Sequence, residues 1–254
     1  MSRFPDRPHL PRSAVTLLAL GEDYAPLLVP PLAAQGVRVL ACPANPAVDP
    51  RLRSHIDLSV LHLGGRRFVL APYLRGSEFA AALNALGAEL FFAEGPFGPA
   101  YPADARLCAL VLGERLFHAR EVMDPVVRRA ADGFRLVPVR QGYAKCAVCP
   151  VSETAAITAD PGMAGVLCSE GCDVLQLMPG GVSLEGFSAG FFGGAAFLLA
   201  PDCLALTGRA DALRDRETIE MFLGRFGIRT CSLTDFPLFD IGSCVLLSEC
   251  ERKS

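Results

Sequence analysis

The chain has 254 residues, a hydrophobic content of 51% and a formal net charge of -3 at pH 7. That size and composition bury a sizeable core and exclude a disordered protein. Weak acidity without any Lys/Arg run argues against nucleic acid or an anionic membrane as the main partner, and leaves a small molecule.

Residues 1–12 hold three prolines and three arginines and no apolar stretch. They read as an N-terminal arm, set at 1–13. The apolar run at 14–20 is too short to span a bilayer, so a cytoplasmic protein is expected. Ten cysteines in a chain that is neither short nor visibly secreted read as reduced, mostly buried thiols.

Self-similarity organises the rest. Strand-like runs ending in a small or turn-forming residue recur at 15–21, 68–72, 116–120, 156–160 and 204–208. After them come stretches with helical apolar spacing, such as Phe79, Leu83 and Leu86, or Ile219, Phe222, Leu223 and Phe226. A second apolar run follows at 37–41, 88–92, 134–138, 173–177 and 228–233. Gly36, Gly87, Gly133, Gly171 and Gly227 stand just before these runs, where a helix C-cap is expected. A loop and a third run, at 58–63, 107–112, 146–151, 195–200 and 244–247, complete each unit. The expected architecture is therefore α/β: a five-bladed propeller of strand-helix-strand-strand repeats, spanning 14–66, 67–114, 115–154, 155–201 and 202–250 within one region, 14–254. A doubly wound sheet needs one strand per helix and a β/α barrel needs eight units, whereas five small sheets around an axis fit the count.

The segments 45–57, 141–146, 186–194 and 240–243 resemble the pentein, or guanidino-group modifying enzyme, superfamily, and more closely an uncharacterised bacterial branch of it. The resemblance covers nearly the whole chain. It implies a five-bladed α/β propeller whose catalytic members include deiminases, dimethylarginine hydrolases and amidinotransferases. Another member, a ribosome anti-association factor, does no chemistry. In the catalytic members a cysteine attacks the guanidinium carbon, a histidine moves protons and carboxylates hold the cation.

Carried onto this sequence, the nucleophile position falls four residues beyond Gly242, on Leu246. Cys244 faces the same side of the expected strand about 7 Å away, at roughly 3.3 Å per residue, and is read either as a shifted nucleophile or as a structural thiol. Cys146 is the other nucleophile candidate. His55 and Asp57, two apart on an expected extended segment, point the same way, as an ion-paired general base and ligand carboxylate or as a loop hydrogen bond. Asp104 and Asp240, with Asp57, offer carboxylates to a cation if their loops converge on the axis; otherwise they cap turns. Ser243, Tyr143 and Phe192 are further ligand-binding candidates, and the glycine-rich 190–194 is read as leading into a strand rather than a helix.

Cys146, Cys149, Cys168 and Cys172 have a spacing that resembles a zinc site, but three residues apart on a strand Cys146 and Cys149 face opposite ways, so no metal centre and no cofactor are expected. His62 and His118, inside apolar runs, read as core residues. The expected function is binding of a small guanidino- or amidino-like cation at the propeller axis. The alternatives are a protein-binding propeller with its axis plugged by Phe191, Phe192 and Leu246, or a C–N hydrolase or amidinotransferase with a relocated nucleophile.

Overall fold

The five glycines placed at helix ends all take a left-handed backbone, with φ of 77° at Gly36, 90° at Gly87, 88° at Gly133, 79° at Gly171 and 69° at Gly227. A Cβ is disfavoured there, so each glycine ends its helix and turns the chain into a strand. In the computed structural model, which describes residues 4–250, this happens five times. Residues 1–3 of the arm and 251–254 of the region set at 14–254 lie outside the described residues.

The first unit runs β1 (Val15–Gly21), α1 (Ala25–Ala34), β2 (Arg38–Cys42) and β3 (Val60–His62). The second is β4 (Arg67–Leu70), α2 (Glu78–Ala85), β5 (Glu89–Phe92) and β6 (Leu110–Leu112). The third is β7 (Arg115–His118), α3 (Pro125–Ala130), β8 (Arg135–Pro138), the single turn α4 (Ala144–Ala147) and β9 (Val148–Ser152). The fourth is β10 (Ala155–Thr158), α5 (Pro161–Ser169), β11 (Asp173–Gln176), the single turn α6 (Phe192–Ala195) and β12 (Ala196–Ala200). The fifth is β13 (Cys203–Leu206), α7 (Arg216–Gly224), β14 (Arg229–Ser232) and β15 (Val245–Glu249). Ser77, Asp124 and Asp160 cap α2, α3 and α5 by accepting a backbone N–H in the first turn. The apolar faces of α2 and α7 bury Phe79 and Leu83, and Ile219, Phe222 and Leu223; Leu86, expected on the same face, falls on the cap of α2 and is 39% exposed.

These strands form five three-stranded sheets: β15-β1-β2, β3-β4-β5, β6-β7-β8, β9-β10-β11 and β12-β13-β14. In every sheet the middle strand runs parallel to the strand after its helix and antiparallel to the third run of the preceding unit. The sheet is thus offset by one strand from the sequence repeat. Because of that offset the last strand, β15, pairs with the first, β1, and the ring closes on hydrogen bonds, leaving no open end in the circle of sheets. This is the pentein fold: five small α/β sheets repeated around an axis. No helix among the described residues is long and apolar enough to cross a membrane.

The inner strand of each sheet starts later than the apolar pattern suggests. Cys146 and Ala195 open their third runs in the sequence, yet they lie in the helical turns α4 and α6, and residues 192–195 are a turn of helix rather than the expected lead into a strand. Leu58 likewise closes a short 3-10 turn, Ile56–Leu58. The side chains at these positions are buried, so pattern alone cannot distinguish them from strand residues.

Candidate functional site

Five residues stand two positions before the inner strands: Leu58, Cys108, Cys146, Gly194 and Ser243. They ring the axis. Leu58, Cys108 and Cys146 pack together with Leu52, Ser243 N–H donates to Gly194 C=O at 2.9 Å, and Lys145 N–H donates to Cys108 C=O at 3.2 Å. The two smallest members set the spacing. A Cβ on Gly194 would run into the Asp240 carboxylate and come within 2.7 Å of Cys146 Sγ. Glycine here is what lets Asp240 reach the centre.

On one side of this ring lies a cavity of about 220 Å³. Its polar wall is His55, Asp57, Cys146 and Asp240, and its aromatic wall is Tyr143, Phe187 and Phe191. His55, Asp57, Cys146 and Asp240 are each at most 4% exposed. Asp240 is held from two sides: Phe191 N–H donates to Oδ2 at 2.8 Å and Gly242 N–H to Oδ1 at 2.9 Å. Cys146 Sγ lies 3.4 and 3.5 Å from the same two oxygens, and His55 Nδ1 lies 4.0 Å from Oδ1. Asp57 accepts from Cys108 Sγ at 3.1 Å through Oδ2, while its Oδ1 has no hydrogen-bond partner among the described residues; nor has His55 Nε2.

Burial controls the electrostatics. It pushes the Asp57 carboxyl up from its ordinary value, with Asp240 adding in the same direction against the pull of His55, the Cys108 thiol and Lys145. It also pushes the Cys146 thiol well up, helped by Asp240 and Asp57 and opposed by Lys145. A cation beside these groups would oppose both shifts.

The other side of the ring is closed. Residues of the N-terminal arm, Pro8 and His9, meet Lys145, Cys244 and the inner strands, leaving slots of about 10 Å³. Lys145 Nζ is buried there and donates to Ser243 Oγ at 2.9 Å and Gly193 C=O at 3.1 Å. Ser243 accepts that bond with φ of 62°, left-handed for a residue with a Cβ.

The sequence-predicted residues therefore separate. His55, Asp57, Tyr143, Cys146 and Asp240 meet in the cavity, His55 from the N-cap and Asp57 from the middle of a 3-10 turn rather than from an extended segment. Asp104 stands one step back, accepting from the Tyr143 hydroxyl at 2.7 Å. Ser243 and Cys244 face the closed side, and burial raises the Cys244 thiol. Phe192 is core, packed with Leu198 and Leu206, and Leu246 packs with Leu18 and Leu20. Cys149 and Cys172 are buried in two different apolar clusters and Cys168 is exposed, so the four cysteines of the zinc-like spacing are dispersed. All ten cysteines are free thiols. His62 and His118 are buried, each with Nε2 on a backbone carbonyl, Gly65 and Arg106. Cys108, Lys145 and His9 are axial residues that sequence reasoning missed. Counting back two places from each inner strand finds Cys108, since that offset also gives Cys146.

The five-sheet ring is an α/β propeller of the pentein fold, and solved structures share that fold. The chain aligns with SxtG, an amidinotransferase of Microseira wollei in the saxitoxin biosynthetic pathway, at 12% identity over 98% of both chains with a TM-score of 0.57. It aligns with the inosamine-phosphate amidinotransferase StrB1 of Streptomyces griseus at 11% identity over 96% of both, with a TM-score of 0.62. At that identity the likeness is one of fold. No curated protein sequence matches the chain. Residues 22–245 match the Family of unknown function (DUF6873), and the chain belongs to that family.

Proposed function

We propose that the chain binds a small amidine or guanidine cation in the axial cavity, between the carboxylates of Asp57 and Asp240 and the rings of Tyr143, Phe187 and Phe191. The observation that carries this reading is Asp57 Oδ1, a buried acceptor without a partner among the described residues, on the wall of an aromatic-rimmed cavity. A planar fork of N–H donors satisfies such an oxygen, and an aromatic face accommodates the cation's π surface. The volume is below the ~300–1,000 Å³ of sites for drug-sized ligands, so the buried part of the ligand is a few heavy atoms. An axis with this space open supports a ligand over a protein-binding propeller with a filled centre.

Catalysis with a relocated nucleophile is the second reading, favoured by Cys146 and His55 on the same wall as the two carboxylates. Leu246 occupies the position expected of the nucleophile. In this reading a bound cation lowers the Cys146 thiol, which passes its proton to His55. The thiolate then forms a C–S bond to the amidine carbon. Collapse breaks a C–N bond, His55 returns the proton to the leaving amine, and water or an acceptor amine releases the carbon from sulfur.

A thermal-shift screen with arginine, agmatine and methylated arginines tests the binding. At least one is expected to raise the melting temperature of the wild type and not of Asp57→Asn; no shift with any of them defeats the proposal. Mapped alkylation tests the chemistry: the productive ligand should leave Cys146 covalently modified or protected, and labelling of Cys146 no different from the other buried thiols would remove it as nucleophile.

A further inference from the structure

We propose that His55, Cys146 and Asp240 form a three-ligand site for a borderline-soft divalent metal ion, Zn2+ above all, with its fourth position open to the axial cavity. The inference goes beyond the amidine reading and does not depend on it. One imidazole nitrogen, the thiol and one carboxylate oxygen all lie within 4.8 Å of one another and are buried. Among the described residues this is the one group of three or more such side chains so placed.

The distances fit the ion. With Zn–S of about 2.3 Å and Zn–O of about 2.0–2.2 Å at the tetrahedral angle, sulfur and oxygen stand about 3.5 Å apart. Cys146 Sγ lies 3.4 and 3.5 Å from the two oxygens of Asp240. The nitrogen–oxygen edge of the same tetrahedron is about 3.4 Å, and His55 Nδ1 stands 4.0 Å from Asp240 Oδ1, a gap that a small tilt of the imidazole closes.

One further feature points to a ligand there, beside the burial of His55 on the cavity wall at 3% exposure. Asp240 is already oriented by the N–H groups of Phe191 and Gly242, as metal-bound carboxylates are by their outer contacts. The donor set decides the metal: thiolate and imidazole favour Zn2+, Co2+ or copper over Mg2+ and Ca2+, which take oxygen ligands. On binding, Cys146 loses its proton to solvent and sulfur becomes a thiolate, so affinity rises with pH. The ion and an amidine use the same wall, and each excludes the other.

The test is Co2+ titration of the full-length, reduced, chelator-treated protein. The expected result is one Co2+ per chain with a sulfur-to-cobalt charge-transfer band in the near ultraviolet, displaced by Zn2+ but not by Mg2+. The band is absent from Cys146→Ser and unchanged in Cys168→Ser, whose thiol is exposed. No band in the wild type, or the same band in Cys146→Ser, overturns the site. Should Cys146→Ser fail to fold, the wild type decides: Zn2+ slows alkylation of Cys146 while leaving Cys168 unaffected, and equal labelling of Cys146 with and without Zn2+ overturns the proposal. Running the amidine screen in chelator keeps failure of the metal site separate from failure of the amidine reading.

Discussion

The two ends of the axis are built from adjacent residues and have opposite character. Lys145 turns to the closed end, where its ammonium meets Ser243, Gly193 and the arm residue His9; Cys146 turns to the open end, beside Asp240 and the cavity. A single helical turn, α4, thus supplies a buried cation to one side and a thiol to the other. The closed end is filled, although His9 Nε2 and His62 Nδ1 there have no hydrogen-bond partner among the described residues. The open end likewise leaves Asp57 Oδ1 and His55 Nε2 without partners among the described residues, a disposition that costs stability, and here a cavity stands beside them.

Burial shifts titrating groups at both ends. Burial lowers His62, which lines the closed end, from 6.5 to about 4. A group lowered in the folded state contributes stability above its unfolded value and loses it as pH falls. Between about pH 6.5 and 4, His62 alone should remove about 3 kcal/mol of stability, taking ~1.4 kcal/mol per pH unit. Urea unfolding across that range measures it, and His62→Gln should flatten the decline; an equally steep decline in the variant would place the acid sensitivity elsewhere. Asp57, raised by the same burial, works the other way: its protonated form is favoured when folded, so its contribution is present at low pH and is lost as pH rises past its ordinary carboxylate range.

Steric loss at the centre is the next largest effect. Gly194→Ala places a methyl against the Asp240 carboxylate and Cys146 Sγ, and overpacking of this kind costs about 1–3 kcal/mol. The variant should melt lower and lose ligand and metal binding together; retained binding would mean that Asp240 is not the group that meets either. The smallest effect has a reversed sign. Asp57→Asn keeps an acceptor for Cys108 but removes a buried charge, and at pH 7 it is expected to stabilise the ligand-free protein by about 1 kcal/mol while abolishing amidine binding. Chemical denaturation beside the thermal-shift screen reads both, and a destabilised variant would show that the ionised carboxylate is fully compensated inside the fold.

The ring was legible in the sequence because each of its signals is local. The strand expected at 15–21 is β1 itself, and five glycine-terminated helices fall where their periodicity and caps place them. Much of the open site was legible too, since His55, Asp57, Tyr143, Cys146 and Asp240 sit in polar or glycine-rich loops that stand out from apolar runs. What sequence could not supply is contact between units. Cys108 sits beside an apolar strand and reads as core until Asp57, far off in the chain, is seen to accept from it. Lys145 carries no local signal of its role, because only closure of the ring buries it against Gly193 and Ser243. Cys244 illustrates the converse: one position past the ring of axial residues, it turns away from the cavity toward the slots of the closed end.

The pairing of β15 with β1 also dictates when the molecule can finish folding. Four of the sheets draw their strands from neighbouring stretches of chain, whereas the remaining one joins Val15 to Glu249. During synthesis the first strand and its parallel partner must therefore wait, edge exposed, until the segment that carries β15 has emerged. Asp240 and Ser243, which precede β15, arrive with the same late segment. The cavity and the ring are completed in one event, so a chain interrupted before that strand has neither an intact circle nor a site.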